Sequence, residues 1–208
     1  VSLGSLRIRQ DFMIALGLTE APFEAGNDKS EQALELALAR IRQLSAHEIG
    51  HTLGFAHNFA ASAKERSSVM DYPHPYLNIK DGKIDYSEAY ETGIGSWDKV
   101  SVAYAYSDFP EGTNETEALN QLLEQSSRDG HRFISDRDAR PIGGAHPLAH
   151  LWDNGSSAYE ELSKLMQIRA LALEHLSLDH LREGEPYSTL EDRMVPMYLL
   201  HRYQVEAV

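Results

Sequence analysis

The chain has 208 residues, 42% of them hydrophobic and 25% charged, which is ordinary globular composition with enough material for a real core. A formal net charge of −13 argues against a nucleic-acid backbone or an anionic membrane surface as partner, and fits a solvated acidic surface better than a selector for basic substrates. With no cysteine, disulfides, thiolate metal sites and a cysteine nucleophile are excluded, so a transition-metal site must use His, Asp and Glu.

No run is long enough to cross a bilayer, and the N-terminus VSLGSLRIRQ has neither an initiator Met nor a signal-peptide pattern. The next stretch, LRIRQDFMIAL, fits a strand or a helix equally well. NDKSEQAL then sets Asp28 three residues before Glu31 in the manner of a capping box, and the residues after it are helix formers without Gly or Pro until Gly50. Leu34, Ala37, Leu38, Ile41 and Leu44 recur at helical spacing, which predicts one helix from about Ser30 to Leu53 with Gly54 at its end.

Residues 58–76 read as loop, and LNIKDGKIDY as a hairpin about Asp81-Gly82 with Leu77 and Ile79 facing Ile84. SWDKVSVAYAY predicts a short helix with Ser96 as its N-cap and with Trp97 and Asp98 anchoring its start, and another is expected from about Glu115 to Arg128. Residues 131–155, with Pro141, Gly143, Gly144 and Pro147, read as loop. Two further helices are expected, one from about Ser157 to Arg182, the other starting near Ser188 with a capping box in STLE and a kink at Pro196. The expected fold class is mainly α, and no internal repeat is visible.

HEIGHTLGFAH, residues 47–57, carries the chemistry. Positions i and i+4 share a helix face, so His47 and His51 can hold one ion as neutral imidazoles. Glu48, beside the first of them, can take a proton from a water that the ion acidifies. HExxH alone is a moderate signal. Here Gly54 follows His51 by three residues and His57 follows Gly54 by three. A straight helix would carry His57 away, whereas a glycine with positive φ lets the chain turn and return it. Three imidazoles leave one position open, as a catalytic zinc requires. The remaining histidines, 74, 131, 146, 150, 175, 180 and 201, have no ligand spacing with these three and read as surface or hydrogen-bonded residues.

The stretch resembles the zinc signature of the metzincins, HExxHxxGxxH. More narrowly, LSAHEIGHTLGFAHNFAAS, SVMDY and GIGSWDKVSVAYAY resemble the Met-zincin domain of large bacterial zinc-dependent metalloproteases, including the HNF of His57, Asn58 and Phe59. The similarity runs from about Arg40 to Tyr106 and more weakly through HLWDNG and the C-terminal helices. The resemblance implies a zinc endopeptidase, secreted or periplasmic in a bacterium, acting on peptides or proteins. One catalytic Zn2+ would be held by His47, His51 and His57, with Glu48 as general base. Met70, thirteen residues after His57 (70 − 57), would be the Met-turn floor, and Gly54 would support the turn to the third ligand. Tyr72, two residues on, is either a fifth ligand and oxyanion donor, as in astacin-like members, or a ring packed beside the site with its hydroxyl in solvent.

A metzincin domain usually carries a twisted sheet ahead of its zinc helix, whose edge strand pairs with substrate. Only 46 residues precede His47. The expectation is therefore a chain largely without that sheet, belonging to a longer enzyme, with residues 1–108 as the zinc-site region and 109–208 as a helical region packed on it as one unit. The competing readings are a binding module stabilised by a structural zinc, a fragment inactive without its sheet, and a hydrolase of non-peptide amides.

Overall fold

The ambiguous segment after the N-terminus is a helix, α1 (Ser5–Leu18), in which Ala15, Leu16 and Leu18 are buried. The computed structural model describes residues 5–140 and 146–208. A short ladder pairs β1 (Phe23–Glu24) with β2 (Asn27–Asp28), and the Asp28 carboxylate accepts from Ser30 N at 2.8 Å where α2 (Ser30–Thr52) begins. The expected long helix therefore forms, but its buried stripe differs from the expected one. Leu34 is 45% exposed, while Ala33, Leu36, Ala37, Arg40, Gln43, His47 and Gly50 are buried. That stripe keeps the helical period only if polar residues are admitted to it. Arg40 is tolerated there because its guanidinium bonds Gln43 Oε1 and lies 5.3 Å from the centre of the Tyr90 ring.

The expected hairpin is β3 (Asn78–Lys80) paired with β4 (Lys83–Asp85), with Ile79 opposite Ile84. Its turn residues Asp81 and Gly82 have φ of 51° and 74°, as a type I′ turn demands. Leu77 lies outside the ladder and is fully buried instead. α3 (Ser96–Tyr106) has Gly95 rather than Ser96 as its N-cap. α4 (Glu115–Arg128) forms where expected, with the Asn114 side chain accepting from Glu117 N.

Three corrections concern the second half. The segment 131–155 is not all loop: it holds α5 (Asp136–Ala139), and its Pro141, Gly143 and Gly144 lie outside the described residues. α6 (Ala158–His175) ends before Arg182, because Ser177 caps a separate 3-10 turn at Leu178–His180 by accepting from Asp179 N. α7 (Thr189–Tyr198) starts where expected, but Ser188 is in helical conformation and makes no side-chain cap. α7 holds Pro196 inside it, and α8 (Arg202–Ala207) follows.

The protein is mainly α, and its sheets among the described residues are the two two-stranded ladders. It divides into two compact units. The first comprises residues 1–44, 75–92 and 159–208, and the second residues 45–74 and 93–158. The first has a core of Ala15, Leu16, Leu36, Leu77, Leu165, Ile168, Met197 and their neighbours. Burying such side chains contributes about 1.5–3 kcal/mol each. The second has a smaller core of Phe59, Ala139 and Ala149, with Tyr72, Ile134 and Leu151 against it.

Candidate metal centre

The last turns of α2 deliver His47 and His51 on one face, as their spacing requires, and the helix then stops. Phe55 N donates back to Gly50 O at 3.1 Å and Gly54 takes a φ of 89°. This left-handed residue reverses the chain and brings His57 beside the helix. The His51 and His57 Nε2 atoms lie 3.1 Å apart, and one nitrogen from each of the three histidines falls within 4.8 Å of the others. No other such cluster of metal-ligating groups occurs among the described residues.

The second ring nitrogens decide what the cluster can be. His47 Nδ1 faces Val69 O at 2.7 Å, His51 Nδ1 faces Phe55 O at 2.9 Å, and His57 Nδ1 faces Asp136 Oδ2 at 2.8 Å. All three partners only accept, so each Nδ1 carries a proton and each Nε2 of a neutral ring presents a lone pair. Two such lone pairs 3.1 Å apart repel one another unless a cation lies between them. An outward Nδ1–H bond on every imidazole is the usual surrounding of a histidine metal site. Burial is the largest effect on His47; the Val69 hydrogen bond opposes it, the neighbouring His51 and His57 add to it and Glu48 opposes it least, which leaves the pKa below the ordinary imidazole value and favours the neutral, ligating form. The donor set is all-imidazole, which suits zinc.

Met70 is 3% exposed and lies against α2, where a Cβ on Gly50 would overlap its sulfur. Gly50 thus permits the close approach. The chain before Met70 is held from α3. Asp98 accepts from Ser68 Oγ at 2.5 Å, Val69 N at 2.8 Å and Gly95 N at 2.6 Å. Since Val69 O holds His47, Asp98 reaches a ligand candidate through one peptide unit. Gly95 is needed as well, because a Cβ there would overlap the Ser67 carbonyl, to which Trp97 N donates at 2.9 Å. Asn58 is fully buried: its backbone N bonds Met70 O, its Nδ2 bonds Arg132 O, and its Oδ1 accepts from Ile134 N. It joins the chain after His57 to the Met70 segment and to residues 132–134.

Tyr72 stands against the imidazoles, with ring centres 5.2 Å from His47 and 4.6 Å from His57. Trp152 stacks on it at 5.2 Å and 11° and donates its backbone N–H to Tyr72 O at 2.8 Å. Trp152 holds a φ of 63°, unusual for so bulky a residue. Glu48 is half-buried beside His47.

Sequence reasoning missed Asp136, which is distant in sequence from the histidine motif; Trp152 lies in the HLWDNG stretch but had no role at Tyr72 assigned to it. No spacing signals them. Asp98, by contrast, stood in a motif that marks a helix start.

The Met-zincin family model matches residues 29–208, the greater part of the chain. The chain belongs to the Met-zincin family. No curated protein and no solved structure gives a significant match. Membership and the three-histidine cluster together give this Met-zincin chain the fold type of a zinc metallopeptidase, with a site suited to zinc. No helix among the described residues is long and apolar enough to cross a membrane.

Proposed function

We propose that this Met-zincin chain is a zinc-dependent endopeptidase of secreted or periplasmic setting, holding one ion through His47, His51 and His57. The observation that carries the reading is the trio of Nε2 lone pairs, converging while every Nδ1 is engaged by an acceptor. A structural zinc would want a fourth protein ligand, and among the described residues the cluster has three members. That favours hydrolysis over a zinc-stabilised binding module.

Bound there, zinc would act as a Lewis acid toward a water molecule and the peptide carbonyl. Glu48 takes the proton from the attacking water and delivers it to the departing amine. Tyr72, clamped between the imidazoles and Trp152, donates its hydroxyl proton in a hydrogen bond to the oxyanion that forms on the carbonyl oxygen. Gly54 and Met70 set the turn and the apolar floor. In this reading residues 1–108 supply ligands and base, while Asp136 comes from the part beyond.

Zinc stoichiometry and cleavage of an unstructured protein substrate, measured on the wild-type chain, Glu48→Gln and His57→Ala, test the proposal. Glu48→Gln is expected to keep one zinc and lose hydrolysis by at least about 10²-fold, in line with the effect of removing a general base. His57→Ala should lose tight zinc. Undiminished cleavage by Glu48→Gln would remove Glu48 from the mechanism.

A further inference from the structure

Two of the three imidazoles sit on α2 and are aimed by the helix itself. His57 does not. It follows the Gly54 reversal, so neither helical backbone nor a neighbouring turn fixes its ring. Backbone carbonyls hold the other two rings, Val69 O and Phe55 O, both close to the motif in sequence. The His57 ring is held by a side chain, Asp136, which lies 79 residues downstream on the one-turn helix α5.

That carboxylate is itself oriented. Its Oδ2 accepts from His57 Nδ1 at 2.8 Å and from Ser135 Oγ at 3.4 Å, and its Oδ1 accepts from Arg140 Nη1 at 3.1 Å. The His57 side chain is 13% exposed and the Asp136 side chain 43%. Were Asp136 merely half of a surface ion pair with Arg140, it would contribute little to stability and nothing to a metal. A carboxylate on the outer nitrogen of a ligating imidazole does more: it selects the tautomer, fixes the ring plane and makes the inner nitrogen more basic. Ala139, three residues on, is buried in the same small core as Phe59, which places α5 firmly enough to act as a mount.

Resting on the zinc-site reading above, we propose that Asp136 is the positioning residue that completes the metal site by fixing His57, so that tight zinc binding depends on α5. The ligand set is then legible in one eleven-residue motif, but its affinity is set from a remote segment.

The test measures zinc dissociation constants by chelator competition, together with the visible absorption of the Co2+-loaded protein, for the wild-type chain, Asp136→Ala and Asp136→Asn. Asp136→Ala should bind zinc about 10–100-fold more weakly and shift the Co2+ bands. Asp136→Asn, whose amide oxygen can still accept from Nδ1, should recover part of the affinity. The thermal midpoints of the zinc-free forms should stay close to wild type. If Asp136→Ala fails to fold, the isosteric Asn variant decides alone. Unchanged zinc affinity and Co2+ spectrum in the folded variants, with wild type binding one zinc, would overturn the role of Asp136 and leave the zinc reading standing. A wild-type chain that binds no zinc would overturn both.

Discussion

Gly54 shows how one residue's conformational freedom determines whether three candidate ligands can meet. Its φ of 89° is open to glycine and disfavoured for other L-residues by about 1–2 kcal/mol, yet a Cβ there would touch nothing within 4 Å. The cost of Gly54→Ala is therefore conformational and not steric. We expect Gly54→Ala to lower stability by about 1 kcal/mol and to weaken zinc binding, with Gly54→Asn milder because Asn tolerates this region. Thermal unfolding and chelator competition check both, and equal effects of Ala and Asn would point away from backbone conformation. Tyr72 poses a different residue-scale question, since its ring is fixed by stacking while its hydroxyl carries the proposed chemistry. Tyr72→Phe keeps the ring. As an oxyanion donor, the hydroxyl's loss should lower kcat by about 10²–10³ and leave zinc affinity unaltered. An unaltered kcat would reduce Tyr72 to a packing ring.

At the scale of elements, the Met70 segment depends on the N-terminus of α3. Asp98 is 5% exposed and accepts three hydrogen bonds, two of them from Ser68 and Val69. Its removal leaves buried donors without a partner, each costing about 1–3 kcal/mol. Asp98→Ala should therefore destabilise the protein by a few kcal/mol and also weaken zinc binding, because Val69 O steadies His47. Denaturant unfolding read beside zinc affinity separates a combined loss from a loss of stability alone. Other elements show where sequence signals compete. SLD after His175 ends α6 because the Ser177 hydroxyl serves a backbone N–H nearby, a local bond that outweighs the helix-forming composition of the residues around it. The STLE box at α7 is present in sequence, but Ser188 sits in helical conformation, so its hydroxyl does not cap.

At the scale of the whole molecule, pH acts on stability through buried groups outside the histidine motif. His180 is fully buried; burial lowers its pKa, against a weaker opposing pull from the Thr19 carbonyl. Its folded pKa lies below the unfolded value of about 6.5. The unfolded chain therefore takes up the proton first, and this contribution to stability, complete above the unfolded value, is lost as pH falls through the window beneath it. Two influences oppose it. Acidification relieves the self-repulsion of a chain of net charge −13. Asp71, whose carboxyl is pushed well up by burial and by nearby Asp153, gains relative stability when protonated. The informative measurement is thus a comparison: the zinc-free chain and His180→Gln are melted from pH 7.5 to 5.5. The variant should lose less of its midpoint over that span than wild type, whatever its absolute stability. Parallel curves would show that His180 does not titrate in the window.

Short-range pattern alone pointed to the three candidate ligands, the adjacent base candidate, the turn at Gly54, the hairpin at Asp81-Gly82 and the predominance of helix. Each follows from spacing or backbone chemistry within a few residues: i and i+4 share a helix face, and positive φ favours glycine. Only the tertiary structure decided which face of α2 is buried. A buried Arg40 is acceptable just where Tyr90 and Gln43 receive it, and hydrophobic periodicity cannot see them. It likewise decided that Asp136 meets His57, that Trp152 stacks on Tyr72, and that Asp98 holds the residue whose carbonyl holds His47. Those partners are tens of residues apart with no fixed separation, so no local pattern encodes them, and they become neighbours only when the chain has folded.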